Sequence, residues 1–177
     1  MRIAIFGGSF DPPHKGHLQI AKVTLEQLDI DYLIIVPTYL NPFKHRFAAP
    51  PTLRLRWLKK IFLYENKVKI CDFEIRQGRV TYAIETVKYV KKRFAPKKIY
   101  YIIGSDNLEK LHLWKSYKKL KKEVEFVVAT RKGFKIKGDF KKLLVDIPIS
   151  STQLRQKPIK RFLPPLVANE IMRFYRS

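Results

Sequence analysis

Five short apolar runs constrain this chain more than any other feature. Residues 2–6 (RIAIF), 32–36 (YLIIV), 68–73 (VKICDF), 99–103 (IYYII) and 125–129 (EFVVA) are rich in Ile, Val, Tyr and Phe, and are apolar on both faces for part of their length. A strand apolar on both faces must be covered on both faces, which is the situation in a parallel sheet clothed by helices. The run 144–149 (LVDIPI) reads as a weaker strand. Helical stripes fill the gaps: Leu18, Ala21, Leu25 and Leu28 make one, and Ile84, Val87, Lys91 and Phe94 nearly make another, widened by Val90. Leu108, Leu111, Trp114, Tyr117 and Leu120 make a third, spaced by three throughout, and Val167, Ile171, Phe174 and Tyr175 a fourth. Alternation of this kind builds βαβ units with right-handed crossovers. The expected fold class is α/β, an open doubly wound parallel sheet with helices on both faces. At 177 residues it is expected to be a single domain spanning 1–177.

Charge narrows the partners. Lys plus Arg number 37 against 15 Asp plus Glu, leaving +22 with His neutral. Such a surface attracts polyanions: nucleic acid, anionic lipid or phosphorylated small molecules. The lysine doublets at 91–92, 97–98, 118–119, 121–122 and 141–142 fall at presumed outer helix positions or in loops, and read as solvated surface. The single Cys71 excludes an intrachain disulfide framework and a multi-cysteine metal site. No stretch reaches the ~18 apolar residues of a membrane span, and the N-terminus is too short in apolar residues for a signal-peptide core. The expected location is the cytoplasm.

Glycine is scarce, at 7 residues, yet Gly7, Gly8 and Gly16 fall within ten positions and Gly104 ends another strand. In open α/β sheets ligands bind beyond the carboxyl ends of strands. The stretch GGSFDPPHKGH (7–17) follows the first strand directly. It is neither GxxxxGK[ST] nor GxGxxG. It offers a glycine turn, two imidazoles at His14 and His17 that can share one face of a helix entry, and the positive end of that helix for a phosphate. The stretch 37–51 is the longest unpatterned connection, the place for a binding loop. In ISSTQLR (149–155), Ser150 or Ser151 can cap a short helix. Ser151, Thr152 and Arg155 then make a donor-rich, cationic entrance suited to a polyphosphate.

GGSFDPPHKGH resembles the GxFDPxHxGH motif of the nucleotidyltransferase superfamily, and ISSTQLR resembles its C-terminal ISSTxxR signature. The middle of the chain is similar to one branch, the bacterial nicotinate-nucleotide adenylyltransferases. PTYLNPFK (37–44) resembles that branch's P-x-x-x-P-P-H-K loop, with Lys44 matching and Phe43 and Asn41 departing from it. VTYAIETV (80–87) resembles S-Y-T-x-x-T, IIGSDNLEKLHLW (102–114) resembles I-I-G-x-D-x-L…W, and ATRKGF (129–134) resembles an R-P-G-F turn. The resemblance implies a Rossmann-like nucleotidyltransferase fold that binds ATP and nicotinate mononucleotide, with Mg²⁺ present as the ATP complex. It implies an ATP site formed by Gly7, Gly8, Ser9, Phe10, His14, His17, Gly104, Asp106, Arg131, Ser151, Thr152 and Arg155. Lys44, Tyr82, Ala83 and Trp114 would serve the mononucleotide. His14, His17 and Arg155 would be the catalytic residues. Trp114 also fits a core position and Asp106 a helix N-cap; Trp57 is read as packing.

The reaction so implied is direct in-line attack by a phosphate that is already anionic, so neither a general base nor a covalent intermediate is needed. Catalysis reduces to alignment and charge stabilisation. Other members of the superfamily, a phosphopantetheine adenylyltransferase or a cytidylyltransferase, share the first and last motifs. A basic nucleic-acid-binding module is the alternative of another class, but the sequence has no recognition signature and its lysines are scattered. No specific nucleic acid and no membrane are expected as partners; a homo-oligomer stays open.

Overall fold

The computed structural model describes residues 1–130, 135–146 and 149–176. Six strands, β1 (Arg2–Gly8), β2 (Tyr32–Pro37), β3 (Val68–Ile70), β4 (Lys98–Gly104), β5 (Glu125–Thr130) and β6 (Lys141–Leu144), form one open sheet in the order β3-β2-β1-β4-β5-β6. Every neighbouring pair is parallel. The chain winds outward from β1 to β3, then returns to the other side of β1 with β4. Connections leave β1 and β4 in opposite directions, which opens a crevice beyond their carboxyl ends.

The side-chain period of two explains why the strands are apolar throughout. One face presents Ile3, Ile5, Ile34, Val36, Tyr101, Ile103 and Val128 to Ile84, Val87 and Val90 of α4 (Ala83–Phe94). The other presents Ala4, Phe6, Leu33, Ile35, Ile102 and Val127 to α1 (Lys15–Gln27) and to Leu58 of α2 (Pro51–Ile61). A third apolar cluster ties α2 to α6 (Ser151–Gln156) and α7 (Ala168–Arg176) through Trp57, Leu154, Val167 and Ile171. Trp57 is fully buried there, as packing; its Nε1 donates to Glu170 Oε2 at 3.2 Å.

Some expectations need correction. The 68–73 run pairs only over Val68–Ile70. Cys71 N still donates to Ile35 O at 2.8 Å, then the chain turns into α3 (Phe73–Gln77). The weaker strand begins earlier than read, at Lys141, and ends at Leu144; 147–148 lie outside the described residues. The stripe 108–120 is not one α-helix. It is a 3₁₀ run, Ser105–Leu113, and a short α5 (Tyr117–Glu123), separated where Ser116 takes φ +57°. A spacing of three throughout is the period of a 3₁₀ helix rather than an α-helix. Asp106 consequently lies inside that run, and Gly104 stands at its cap without a side-chain bond. The lysine doublets are exposed apart from Lys98, which is half-buried and pairs with Glu125 at 3.3 Å.

Candidate active site

The turn after β1 is built around two imidazoles. His14 is the N-cap of α1, and its Nδ1 accepts from Gly16 N at 3.0 Å. His17 Nδ1 in turn accepts from the backbone N–H of His14 at 3.1 Å. This is a reciprocal capping box in which two histidines do what a Ser and a Glu commonly do. The rings stack with centroids 3.7 Å apart. Phe10, buried with φ +51°, meets the His17 ring edge-on at 4.7 Å.

Because each Nδ1 accepts a backbone proton, each neutral ring must carry its own proton on Nε2. Both rings are therefore fixed as Nε2–H donors pointing away from the helix start. Burial pushes His14 down to about 4 from an ordinary 6.5. His17 is held well below its ordinary value by burial first and by the adjacent imidazole second. A depressed pKa in the folded state means that the stability these rings contribute is whole above about pH 6.5 and is lost as the pH falls toward 4. Near neutrality the pair consists of two uncharged donors.

Gly16 is required by this packing. A Cβ there would lie 2.7 Å from His14 Cε1, because the ring folds back over the glycine to reach its N–H.

The C-terminal turn docks on the same place. Ser150 caps α6, accepting from Gln153 N at 3.2 Å. That frees Ser151, whose Oγ donates to Pro12 O at 2.9 Å. Arg155 donates through one terminal nitrogen to Asp11 O at 2.7 Å and through the other to Thr152 Oγ1 at 3.1 Å. The two turns are 139 and 144 residues apart in sequence at these bonds, and in space they are hydrogen-bonded together.

Two residues that the sequence reading did not place in the site hold its frame. Arg54, on α2, is 0% exposed. Its guanidinium donates to Ala49 O at 3.0 Å, Ser9 O at 2.6 Å and Tyr39 O at 3.0 Å. Asp11, also buried, accepts from Ala48 N at 2.7 Å, from Ala49 N at 2.9 Å and from the Tyr175 hydroxyl. Three side chains from α2, the first turn and α7 thus pin both ends of the 38–50 connection to the histidine turn. Arginine at 54 reads as a surface residue in LRLRWLKKIF; only its place on the buried side of α2, between Pro50 and Trp57, distinguishes it.

Two cavities open beyond the strand ends. The first, about 540 Å³, is lined by Ser9, Asp11, Lys44, Arg46, Arg54 and Arg155 among others. Among its described wall residues Asp11 is the sole acid beside Lys44, Arg46, Arg54 and Arg155, so the wall is predominantly cationic. The Lys44 side chain is exposed, yet partial desolvation of its ammonium and then the nearby Arg155 lower its pKa, partly offset by Asp11. The second cavity, about 520 Å³, is lined by Gly7, Gly8, Tyr82, Ala83, Tyr101 and Trp114 among others. Trp114 lines it while packing edge-on against Tyr101 at 5.7 Å, so one ring serves both the cavity wall and the packing beneath it. Gly7 must lack a side chain, since a Cβ would approach the Tyr101 hydroxyl to 2.9 Å. Thr38 and Asn41 belong to both walls, so the cationic cavity and the apolar one are contiguous.

Phe10, His14, His17, Ser151, Thr152, Gly104 and Asp106 are not part of either wall. Phe10 and the histidines form the turn from β1 into α1, Ser151 bonds that turn at Pro12 O, and Thr152 bonds Arg155, which lines the first cavity. Gly104 ends β4 and Asp106 follows in the 3₁₀ run; a Cβ at Gly104 would come 2.5 Å from Asp106 Oδ1, so that exposed side chain would have to swing aside. Arg131 lies outside the described residues. Among the described residues no group of three or more His, Cys, Asp or Glu is arranged to hold a metal ion, and no helix is long and apolar enough to cross a membrane.

A doubly wound parallel sheet whose histidine turn and Ser-Arg turn are hydrogen-bonded together beside a cationic cavity has the architecture of a nucleotide-binding α/β protein. The chain belongs to the cytidylyltransferase-like family, whose pattern it matches over residues 5–157. It is 67% identical over 177 residues, covering 100% of both chains, to a Nitratiruptor protein named "Probable nicotinate-nucleotide adenylyltransferase". A protein of the same name from Campylobacter jejuni is 47% identical over 177 residues, covering 100% of this chain and 98% of its own. Among solved structures, the Plasmodium falciparum nicotinic acid mononucleotide adenylyltransferase complexed with NaAD superposes with a TM-score of 0.78. It covers 99% of this chain and 97% of its own at 24% identity, a likeness of fold.

Proposed function

We propose that this chain, as one domain, transfers AMP from ATP to nicotinate mononucleotide, forming deamido-NAD and releasing pyrophosphate in the cytoplasm. The observation that carries this reading is the bonding of Ser151 and Arg155 to the carbonyls of Pro12 and Asp11, which brings both phosphate-binding turns together beside one cationic cavity. The full-length 67% identity to a protein of that name supports the choice of branch.

In this reading the triphosphate lies over the start of α1. His17 Nε2–H contacts the α-phosphate and strengthens that bond as charge builds in the transition state. His14 Nε2–H holds the neighbouring phosphates. Arg155, with Ser151 and Thr152, clamps the departing pyrophosphate. Lys44 steadies the incoming phosphate, and Gly7, Gly8, Ser9 and Phe10 form the turn that brings backbone close to the nucleotide. Gly104, Asp106 and Arg131 serve the adenosine side. Tyr82, Ala83 and Trp114 receive the pyridine base in the apolar cavity, with the start of α4 offering backbone donors to its carboxylate. The nucleophile needs no base, since it is an anion already.

Magnesium enters as part of the ATP substrate. The cationic cavity's carboxylate, Asp11, spends its oxygens on Ala48 N, Ala49 N and Tyr175, so the ion relies on phosphate oxygens and water.

Assay with ATP and, in parallel, nicotinate mononucleotide, nicotinamide mononucleotide and phosphopantetheine tests the reading. Turnover is expected with the mononucleotides, the acid preferred. Turnover with phosphopantetheine alone would overturn it.

Gly16→Ala provides a second, more local check. The added methyl displaces the His14 ring from Gly16 N, and a displacement on the scale of 1 Å costs up to about 100-fold in rate. Turnover is expected to fall roughly tenfold to a hundredfold, with the far-ultraviolet circular dichroism unchanged; full activity would show that His14 does not hold phosphate.

A further inference from the structure

We propose that the carboxyl group of Glu74 is a specificity-determining group of the apolar cavity: protonated, it donates to the carboxylate of a pyridine carboxylate nucleotide; ionised, it disfavours that substituent relative to an uncharged amide. This rests on the function proposed above, which seats the pyridine base in that cavity. Glu74, in α3, is 3% exposed, yet it forms part of the cavity wall together with Thr81, Tyr82, Ala83 and Trp114. Its Oε2 accepts from Thr86 Oγ1 of α4 at 2.6 Å. The carboxyl therefore stands one helical turn from the α4 start, on the same cavity.

A carboxyl so enclosed has lost the water that would solvate its charge. Burial pushes its pKa up to about 7; the Thr86 hydroxyl opposes this and the Glu85 carboxylate adds to it. The groups facing it come from each neighbouring element. From α4 they are Thr86 and Glu85; from β4, Tyr101, whose hydroxyl burial keeps protonated. Cys71, just before α3, is a thiol also pushed up by burial. The Leu33–Pro37 stretch of β2 brings no ionisable side chain. Lys115 lines the same cavity, with Nζ over the Tyr82 ring at 4.7 Å.

The chemistry of the two bases differs by one charge. An N-ribosylated pyridine ring is cationic; a carboxylate on it makes the base a zwitterion, whereas an amide leaves it a cation. An ionised Glu74 attracts the cation and repels the carboxylate. A protonated Glu74 repels neither and can hydrogen-bond the carboxylate. Binding the acid substrate therefore raises the pKa of Glu74, and by linkage that binding is full below about pH 7 and weakens as pH rises through the raised value.

The test is kcat/KM for nicotinate and nicotinamide mononucleotides with ATP between about pH 6 and about pH 9, in wild type and in Glu74→Gln. The two substrates carry the same phosphate, so the acid-to-amide ratio cancels its titration. In wild type the ratio is expected to fall by up to about tenfold per pH unit above neutrality; in Glu74→Gln, which stays neutral, it is expected to be flat. Equal pH dependence of the ratio in both proteins would overturn the proposal. Calorimetry in buffers of different ionisation enthalpy gives a readout that needs only wild type: nicotinate mononucleotide should take up protons on binding above neutrality and the amide should not. Absence of that uptake overturns the proposal even where the variant does not fold. Wild type turning over neither mononucleotide is a different result; it removes the proposed function and this inference with it.

Discussion

His17→Ala is expected to lower turnover by at least about 100-fold. Losing one preorganised donor to developing phosphate charge costs on the order of 3 kcal/mol of transition-state stabilisation. The structure explains why this donor is preorganised. The bond from His14 N to His17 Nδ1, the stack on His14 and the edge of Phe10 leave the ring one orientation and one tautomer. The alanine variant also loses a helix-capping acceptor, a cost of about 1 kcal/mol, so the fold should survive. Steady-state kinetics beside a melting curve separate the two effects. A folded variant with near wild-type turnover would remove His17 from the reaction.

The second large effect is on stability. Arg54→Leu is expected to destabilise the protein by about 3 kcal/mol, because the carbonyls of Ser9, Tyr39 and Ala49 lose their donor together, the buried Ala49 group at roughly 1–3 kcal/mol and the part-buried other two at the lower end of that range. In a chain of this length that is a fall in melting temperature of roughly 6–12 °C. Arg56→Leu is the control. Its side chain is 62% exposed and only 3.7 Å from Glu170, and surface pairs of this kind contribute about 0–1 kcal/mol. Equal melting temperatures for the two variants would show that Arg54 is not the staple described here.

The sheet was legible because β1, β2, β4 and β5 are each apolar on both faces, a pattern with few structural solutions. Their order is not fixed by the crossover rules, which set only the handedness of each connection; the structure supplies it. The histidine and Ser-Arg turns were legible as local strings. What escaped was information that lies across the chain. Arg54 is an ordinary charged residue in sequence, and Asp11 is legible only as part of the turn in FDPP; their long-range partners, three carbonyls for one and two amides for the other, exist only in the folded protein. Glu74 escaped for a related reason. Its unusual proton affinity comes from β4 and α4 closing over it, and nothing in DFEIRQ signals burial. The 108–120 stripe misled because a period of three was read as a period of 3.6.

The bond between Tyr175 and Asp11 spans 164 positions. The anchoring of the opening turn is thus completed by a residue of the last helix, and a fragment holding only the leading half-sheet would keep the local histidine capping box but lack the Tyr175 and Arg155 bonds to Asp11. Such long-separation closure makes assembly slow relative to locally wired folds, and it makes competence a property of the finished architecture rather than of either signature alone.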